Sequence, residues 1–181
     1  ETVVSLMAKY GRTSTDAMTY VLENDVRAAS RVYDERDKHS ILHFAVSAAT
    51  VRNKELYKPI LKKFPDLAKR ITAVGKTPLH TALSHCCAPP SMIYDLMDAF
   101  PHAISNRDGL GFLPLHYAVG GGVDDVEIVK KLLEAAPDTV RVKQIQPKGD
   151  DDGPLPLHLA LRHGAFEGKM HDAINDIIFH L

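Results

Sequence analysis

The chain has 181 residues, 45% of them hydrophobic and 25% charged, the balance of an ordinary globular domain large enough to bury a core without disulfides or metal. Lys+Arg 22 against Asp+Glu 23 leave a net charge of −1, which argues against the strongly basic footprint of a nucleic-acid binder. No apolar run approaches the roughly 18 residues of a membrane span, and the two cysteines, Cys86 and Cys87, are adjacent, which rules out a disulfide framework.

Taken in chain order, residues 1–34 hold only a worn pattern: residues 4–11 fit as a copy with Ser5 where later copies carry histidine, and residues 21–29 look like a copy of the second helical landmark with its proline lost. The first residue is Glu1 rather than Met, the start expected of a processed or excised piece. From residue 35 a clear pattern begins with Leu42, His43 and Ala45. It is followed by a second helical stretch that contains Pro59, expected to kink or delay the helix, and that ends in Phe64, Pro65 and Asp66. The next copy reads Gly75, Thr77, Pro78, Leu79, His80, Ala82. Thr77 is placed to cap a helix, Pro78 fits its first position, and Leu79, Ala82 and Leu83 share one face. Cys86 to Pro90 then separate two helices, with Ser91 expected to cap the second, which ends in Phe100 and Pro101.

The third clear copy carries Asp108, Gly109, Gly111, Pro114, Leu115, His116 and Ala118. Its glycine run, Gly120 to Gly122, follows a helix rather than a strand, so it reads as an end-of-helix loop and not as a phosphate cradle. A second helix is expected over 124–134, with Val126, Val129, Leu132 and Leu133 as its apolar stripe, followed by Pro137 and an enlarged loop over 144–153. The last copy holds Gly153, Pro156, Leu157, His158 and Ala160.

Two landmarks therefore recur. The histidines are spaced by 37, 36 and 42 residues, and Pro65, Pro101 and Pro137 by 36. These residues resemble the ankyrin repeat, whose signature runs D-x-x-G-x-T-P-L-H-x-A. The resemblance covers nearly the whole chain as one domain, 1–181, of five units, about 1–34, 35–71, 72–107, 108–149 and 150–181, with the first and last as caps. It implies an all-α solenoid, a stack of antiparallel helix pairs with short β-hairpin or turn fingers. The departures are specific. The signature threonine is Ser40, Thr77, Leu113 and Leu155, so the threonine–histidine contact is expected to be lost in the last two, and the repeats run to 36 residues or more rather than 33.

Ten histidines raise the question of metal or acid–base chemistry. One histidine per repeat makes a row down a stack, whereas a metal needs convergent ligands, so His43, His80, His116 and His158 read as structural groups satisfying nearby backbone. Cys86 and Cys87 beside His80 and His85 lack a second ligand pair, and His163, His171 and His180 are scattered. There is no nucleophile elbow, phosphate loop or dinucleotide fingerprint. The expectation is accordingly no enzyme, no cofactor and no metal.

What remains is surface. By the resemblance, a partner protein is bound on a concave face made of the fingers and the first helices. The finger positions are Arg36, Asp37 and His39, then Val74 and Lys76, then Leu110 and Phe112, then Asp151 and Asp152. The helix positions are Ser47, Ser84, His85, Arg162 and His163. Leu110 and Phe112 are the sharpest anchors, unless Phe112 packs on a neighbouring finger. Asp151 and Asp152 would meet a basic partner or form a solvated loop, and His39, His85 and His163 would make binding pH-sensitive. The expected function is a non-catalytic protein–protein interaction module, a monomer or a subunit of a hetero-complex, with neither nucleic acid nor membrane insertion. The alternatives are a structural subunit or excised domain whose activity lies elsewhere and, with less support, a metal protein or enzyme. Two unpaired thiols favour an intracellular setting, cytoplasmic by default.

Overall fold

The repeated pattern folds as helix, helix and 3₁₀ turn, again and again. A computed structural model describes residues 37–49, 57–85, 88–122, 125–145, 153–162 and 179. Among them seven α-helices occur. The first pair is α1 (Ile41–Ala49) and α2 (Tyr57–Lys63), the second α3 (Pro78–Leu83) and α4 (Pro90–Ala99). Then come α5 (Pro114–Tyr117) and α6 (Val126–Ala135), and finally α7 (Pro156–Arg162). Four to ten residues is too short for a helix to stand alone in water, so these helices exist by packing on their neighbours. α1 packs on α3 and α3 on α5, while α4 packs on α6. One alanine per copy, Ala45, Ala82, Ala118 and Ala160, is buried, and its small size lets the first helices approach closely. Leu42, Leu79, Leu83, Leu115, Met92, Ile93, Leu96 and Leu132 join them in one continuous apolar core.

The second landmark explains how each pair ends. Phe64, Phe100 and Ala136 precede prolines, which excludes them from helical geometry; their φ values are −133°, −147° and −151°. The chain then winds into 3₁₀ turns, Pro65–Lys69, Pro101–Ser105 and Pro137–Arg141. Each tucks an apolar or small pair underneath: Leu67 and Ala68, Ala103 and Ile104, Thr139 and Val140.

Two expectations are corrected. The glycine run is not an open loop: Ala118–Gly122 continues α5 as a π-helical turn. Ser91 does not cap α4; it is exposed inside the helix, and Pro89 precedes Pro90, whose fixed φ starts the helix instead. In α6 the expected stripe of Val129, Leu132 and Leu133 is buried together with Ile128, and Val126 packs against the same core partly buried. Of the two forms expected for the fingers, the described ones are turns, and no strand occurs among the described residues. Pro59 lies in the first turn of α2 as described, where its missing N–H costs little.

The turns are bonded internally and to each other. In the second, the Thr72 N–H donates to Lys76 O (2.9 Å) and the Gly75 N–H to Thr72 O (2.9 Å). In the third, Asp108 N–H donates to Phe112 O and Gly111 N–H to Asp108 O, both at 2.9 Å. One bond joins each turn to the one before it: Ala73 N–H to Asp37 O (2.7 Å) and Gly109 N–H to Val74 O (2.7 Å). The tips therefore form a single continuous edge of the molecule.

Candidate functional site

Two rows run along this edge, buried histidines beneath and turn tips above. His43, His80 and His116 are each at most 1% exposed. The ring Nδ1 of each accepts from the backbone N–H at the helix start: Ser40 (3.2 Å), Thr77 (3.2 Å) and Leu113 (3.1 Å). The Ser40 and Thr77 hydroxyls lie 2.8 Å from the same nitrogens. Leu113 and Leu155 have no hydroxyl, so that half of the contact is missing, as expected. The other half survives, because the backbone N–H of Leu155 likewise reaches His158 Nδ1 (3.1 Å). The bond common to all four copies is thus the one to the histidine, a point the side-chain pattern alone does not reveal; in the Thr77 copy the hydroxyl adds a second, accepting from the His80 N–H (3.4 Å).

An Nδ1 that accepts leaves the proton on Nε2. His43 Nε2 accordingly donates to Lys76 O (3.0 Å) in the following turn. His80 faces the carbonyls of Phe112 and Asn106, and His116 those of Pro154 and Val142, in both cases without a bond of good geometry. Each ring is therefore a strut from one helix start to the next turn. Burial holds the rings neutral. It lowers His43 to about 4, against the Lys76 carbonyl and with help from His39 and His80, and it lowers His116 to about 4 as well. His80 is lowered by the same cause, and Asp108 opposes the shift. His158 is exposed. Among the described residues no three His, Cys, Asp or Glu side chains gather as metal ligands.

The turn above His80 and His116 is organised by a carboxylate. Asp108 is 5% exposed; its Oδ1 accepts from the N–H groups of Leu110 and Phe112 (2.9 Å each) and its Oδ2 from the Tyr117 hydroxyl (2.6 Å). Burial, then the bond to Asp108 and its charge, hold the Tyr117 phenol well above its ordinary range. Thr72 takes the equivalent place in the preceding turn, its Oγ1 accepting from Lys76 N–H (3.1 Å). The Lys76 ammonium in turn lies 4.6 Å from the centre of the Tyr117 ring. Asp108→Ala strips three donors of their acceptor and should lower the urea midpoint by an amount equivalent to roughly 2–3 kcal/mol. Tyr117→Phe, which removes one bond, should cost about 1–2 kcal/mol. Equal losses for the two variants would mean that the backbone donors find other acceptors.

Of the expected contact residues, Val74 is 51% and Leu110 46% exposed, on adjacent bonded turns. Asp37, Ser84 and Arg162 are exposed; His39, Ser47, Lys76 and His85 are half-buried. Phe112 turns inward, its ring 5.8 Å from His116 and 5.5 Å from Tyr117, so it packs against its own helix rather than presenting itself as an anchor. His39 meets His43 edge-on (5.8 Å) and lies tilted against Phe44 (5.3 Å). His85 lies 3.5 Å from Ser47 across two repeats, and burial followed by Lys76 lowers its titration below the ordinary histidine range. Arg36, Asp151, Asp152 and His163 lie outside the described residues, as do Cys86 and Cys87. Sequence reasoning passed over Ile71 and Ile145, exposed at 55% and 59%. Ile145 was hidden inside an apparent loop, although its position 36 residues after Gly109 marked it as part of the next tip.

The family model for the ankyrin repeat matches residues 110–141, from the third turn through α5 and α6 to the end of the last 3₁₀ turn. No curated protein matches the chain. No helix among the described residues is long and apolar enough to cross a membrane.

Proposed function

Starting from an ankyrin repeat at residues 110–141 within an all-α stack, a repeat that points to protein–protein interaction and a family that is generally non-catalytic, we propose that this chain is a non-catalytic module that captures a partner protein along its row of turns. The observation that carries the reading is the pair Val74 and Leu110, large apolar side chains left about half exposed on turns that are otherwise rigidly bonded. Rigid apolar groups in a polar rim are what interface anchors look like, because little entropy is lost when they are covered. Asp37, Lys76, Ser84 and Arg162 supply polar contacts around them, with His39, Ser47 and His85 partly withdrawn. Adjacent Cys86 and Cys87, a spacing that builds no disulfide framework, support an intracellular, reducing setting.

The test is capture of a partner from a native lysate. The double variant Val74→Ser/Leu110→Ser should keep its helical content and lose most of its capture, on the order of tenfold or more. The exposed pair is used rather than Phe112, whose removal would damage the core. Unchanged capture by this variant and by substitutions at Ser84 and Arg162 would remove the assignment.

A further inference from the structure

The chemistry around the apolar tips restricts what they can bind. Arg70, Lys76 and Arg107 flank Val74 and Leu110, and none of the three is paired with a carboxylate among the described residues. Arg107 instead spends its guanidinium on the carbonyls of Gly111 (3.1 Å) and Lys143 (2.7 Å), so its charge is held in place beside the third turn and not neutralised. Lys76 rests on the Tyr117 ring. The nearby Asp108 is buried beneath the turn, both its oxygens occupied by donors. A chain of net charge −1 thus carries two held cations, Lys76 and Arg107, beside its two apolar tips, with Arg70 exposed four residues before Val74; on the other side the exposed Asp37 adjoins the second turn through its backbone carbonyl. Asp151 and Asp152 lie outside the described residues, so the footprint is placed on the second and third turns.

We propose that these two turns dock an acidic segment of the partner, with apolar side chains seated on Val74 and Leu110 and carboxylates facing Arg70, Lys76 and Arg107. The inference rests on the protein-binding reading above. Apolar contact supplies affinity, and the cations supply orientation and exclude basic segments. A phosphate backbone would meet the same charges but would leave the apolar tips unmatched.

The test uses the whole 181-residue chain, isotope-labelled, and a short synthetic peptide in which leucines are separated by pairs of glutamates. Its counterpart carries lysines instead, and a single-stranded oligonucleotide serves as a third probe. The acidic peptide should shift the amide signals of residues 70–76 and 107–112 and bind roughly tenfold or more tightly than the other two. Its binding should weaken with ionic strength and fall in Lys76→Glu. Equal binding by the lysine peptide or the oligonucleotide, shifts confined to other surfaces, or no shift with the acidic peptide would each overturn the proposal. If the acidic peptide fails while Val74→Ser/Leu110→Ser still abolishes capture from lysate, only the acidic specificity falls. If capture is also insensitive, the protein-binding reading falls with it.

Discussion

Acidification from about pH 7 to pH 4 should unfold this stack cooperatively, at constant salt and without denaturant. Burial pushes His43 and His116 down to about 4 in the folded chain from the ordinary histidine value of 6.5, and it shifts His80 the same way. The folded state therefore binds fewer protons than the unfolded one between these values, and stability must rise with pH through that window. Above about pH 6.5 both states hold neutral rings and the full stability is present. As the pH falls from 6.5 towards 4 the unfolded chain gains protons that the fold cannot accept. At the lower limit each of the two rings costs roughly 3 kcal/mol, a large share of the 5–15 kcal/mol typical of a domain. The one carboxylate lowered among the described residues, Asp66, is fully exposed, and its titration falls below this window. Urea midpoints at steps between pH 7 and pH 4.5 check this. A midpoint that stays flat across the window would show that the rings are not held neutral in the fold. His43→Gln and His116→Gln should each lower the midpoint at pH 7, because the Ser40 or Leu113 N–H loses a rigid acceptor. Each should also flatten the pH dependence, a change that general loss of packing does not produce.

This outcome bears on what could be read in advance. The histidine row and the prolines at a spacing of 36 follow from local rules. A proline at the first helical position, a capping residue before it and a small residue at a fixed place each act within a few residues. Thr77, Pro78 and Ala82 therefore read correctly without any structure. What the local pattern leaves open lies where packing decides. Leu113 cannot cap with its side chain, yet its backbone is still bonded to His116, because burial of that ring by the next repeat fixes its orientation. Phe112 and Leu110 are two residues apart and equally apolar, and only the packing of Tyr117 and His116 separates a core group from an exposed one. Asp108 looked like a mark of the turn, whereas its carboxylate gathers three donors, one of them from nine residues away. Ile145 was concealed because an insertion after it lengthens the repeat and obscures the register.

Gly111→Ala should be among the most damaging single substitutions in the chain, costing about 3 kcal/mol or more, with Gly75→Ala close behind. Gly111 has φ +80° and Gly75 φ +74°, in the left-handed region where a Cβ costs roughly 1–2 kcal/mol by itself. Space adds to that. A Cβ on Gly111 would lie 2.5 Å from the Ile145 nitrogen and 2.6 Å from its oxygen; one on Gly75 would lie 2.6 Å from the Gly109 nitrogen. These obstacles are backbone atoms, so no rotamer change relieves the clash, and the next turn must move. In each case the turn displaced bears an exposed apolar tip, Ile145 or Leu110, so partner capture should fall together with stability. Lys38 supplies the control. It occupies the matching place before His43, with φ 52°, and carries the left-handed strain that glycine avoids. Lys38→Gly should therefore stabilise the chain, by up to about 1 kcal/mol, since relief of strain is partly offset by the greater freedom of glycine in the unfolded state. Chemical-denaturation midpoints of the three variants measure all of this. A Gly111→Ala midpoint within about 0.5 kcal/mol of the parent would show that the turns are not locked against each other.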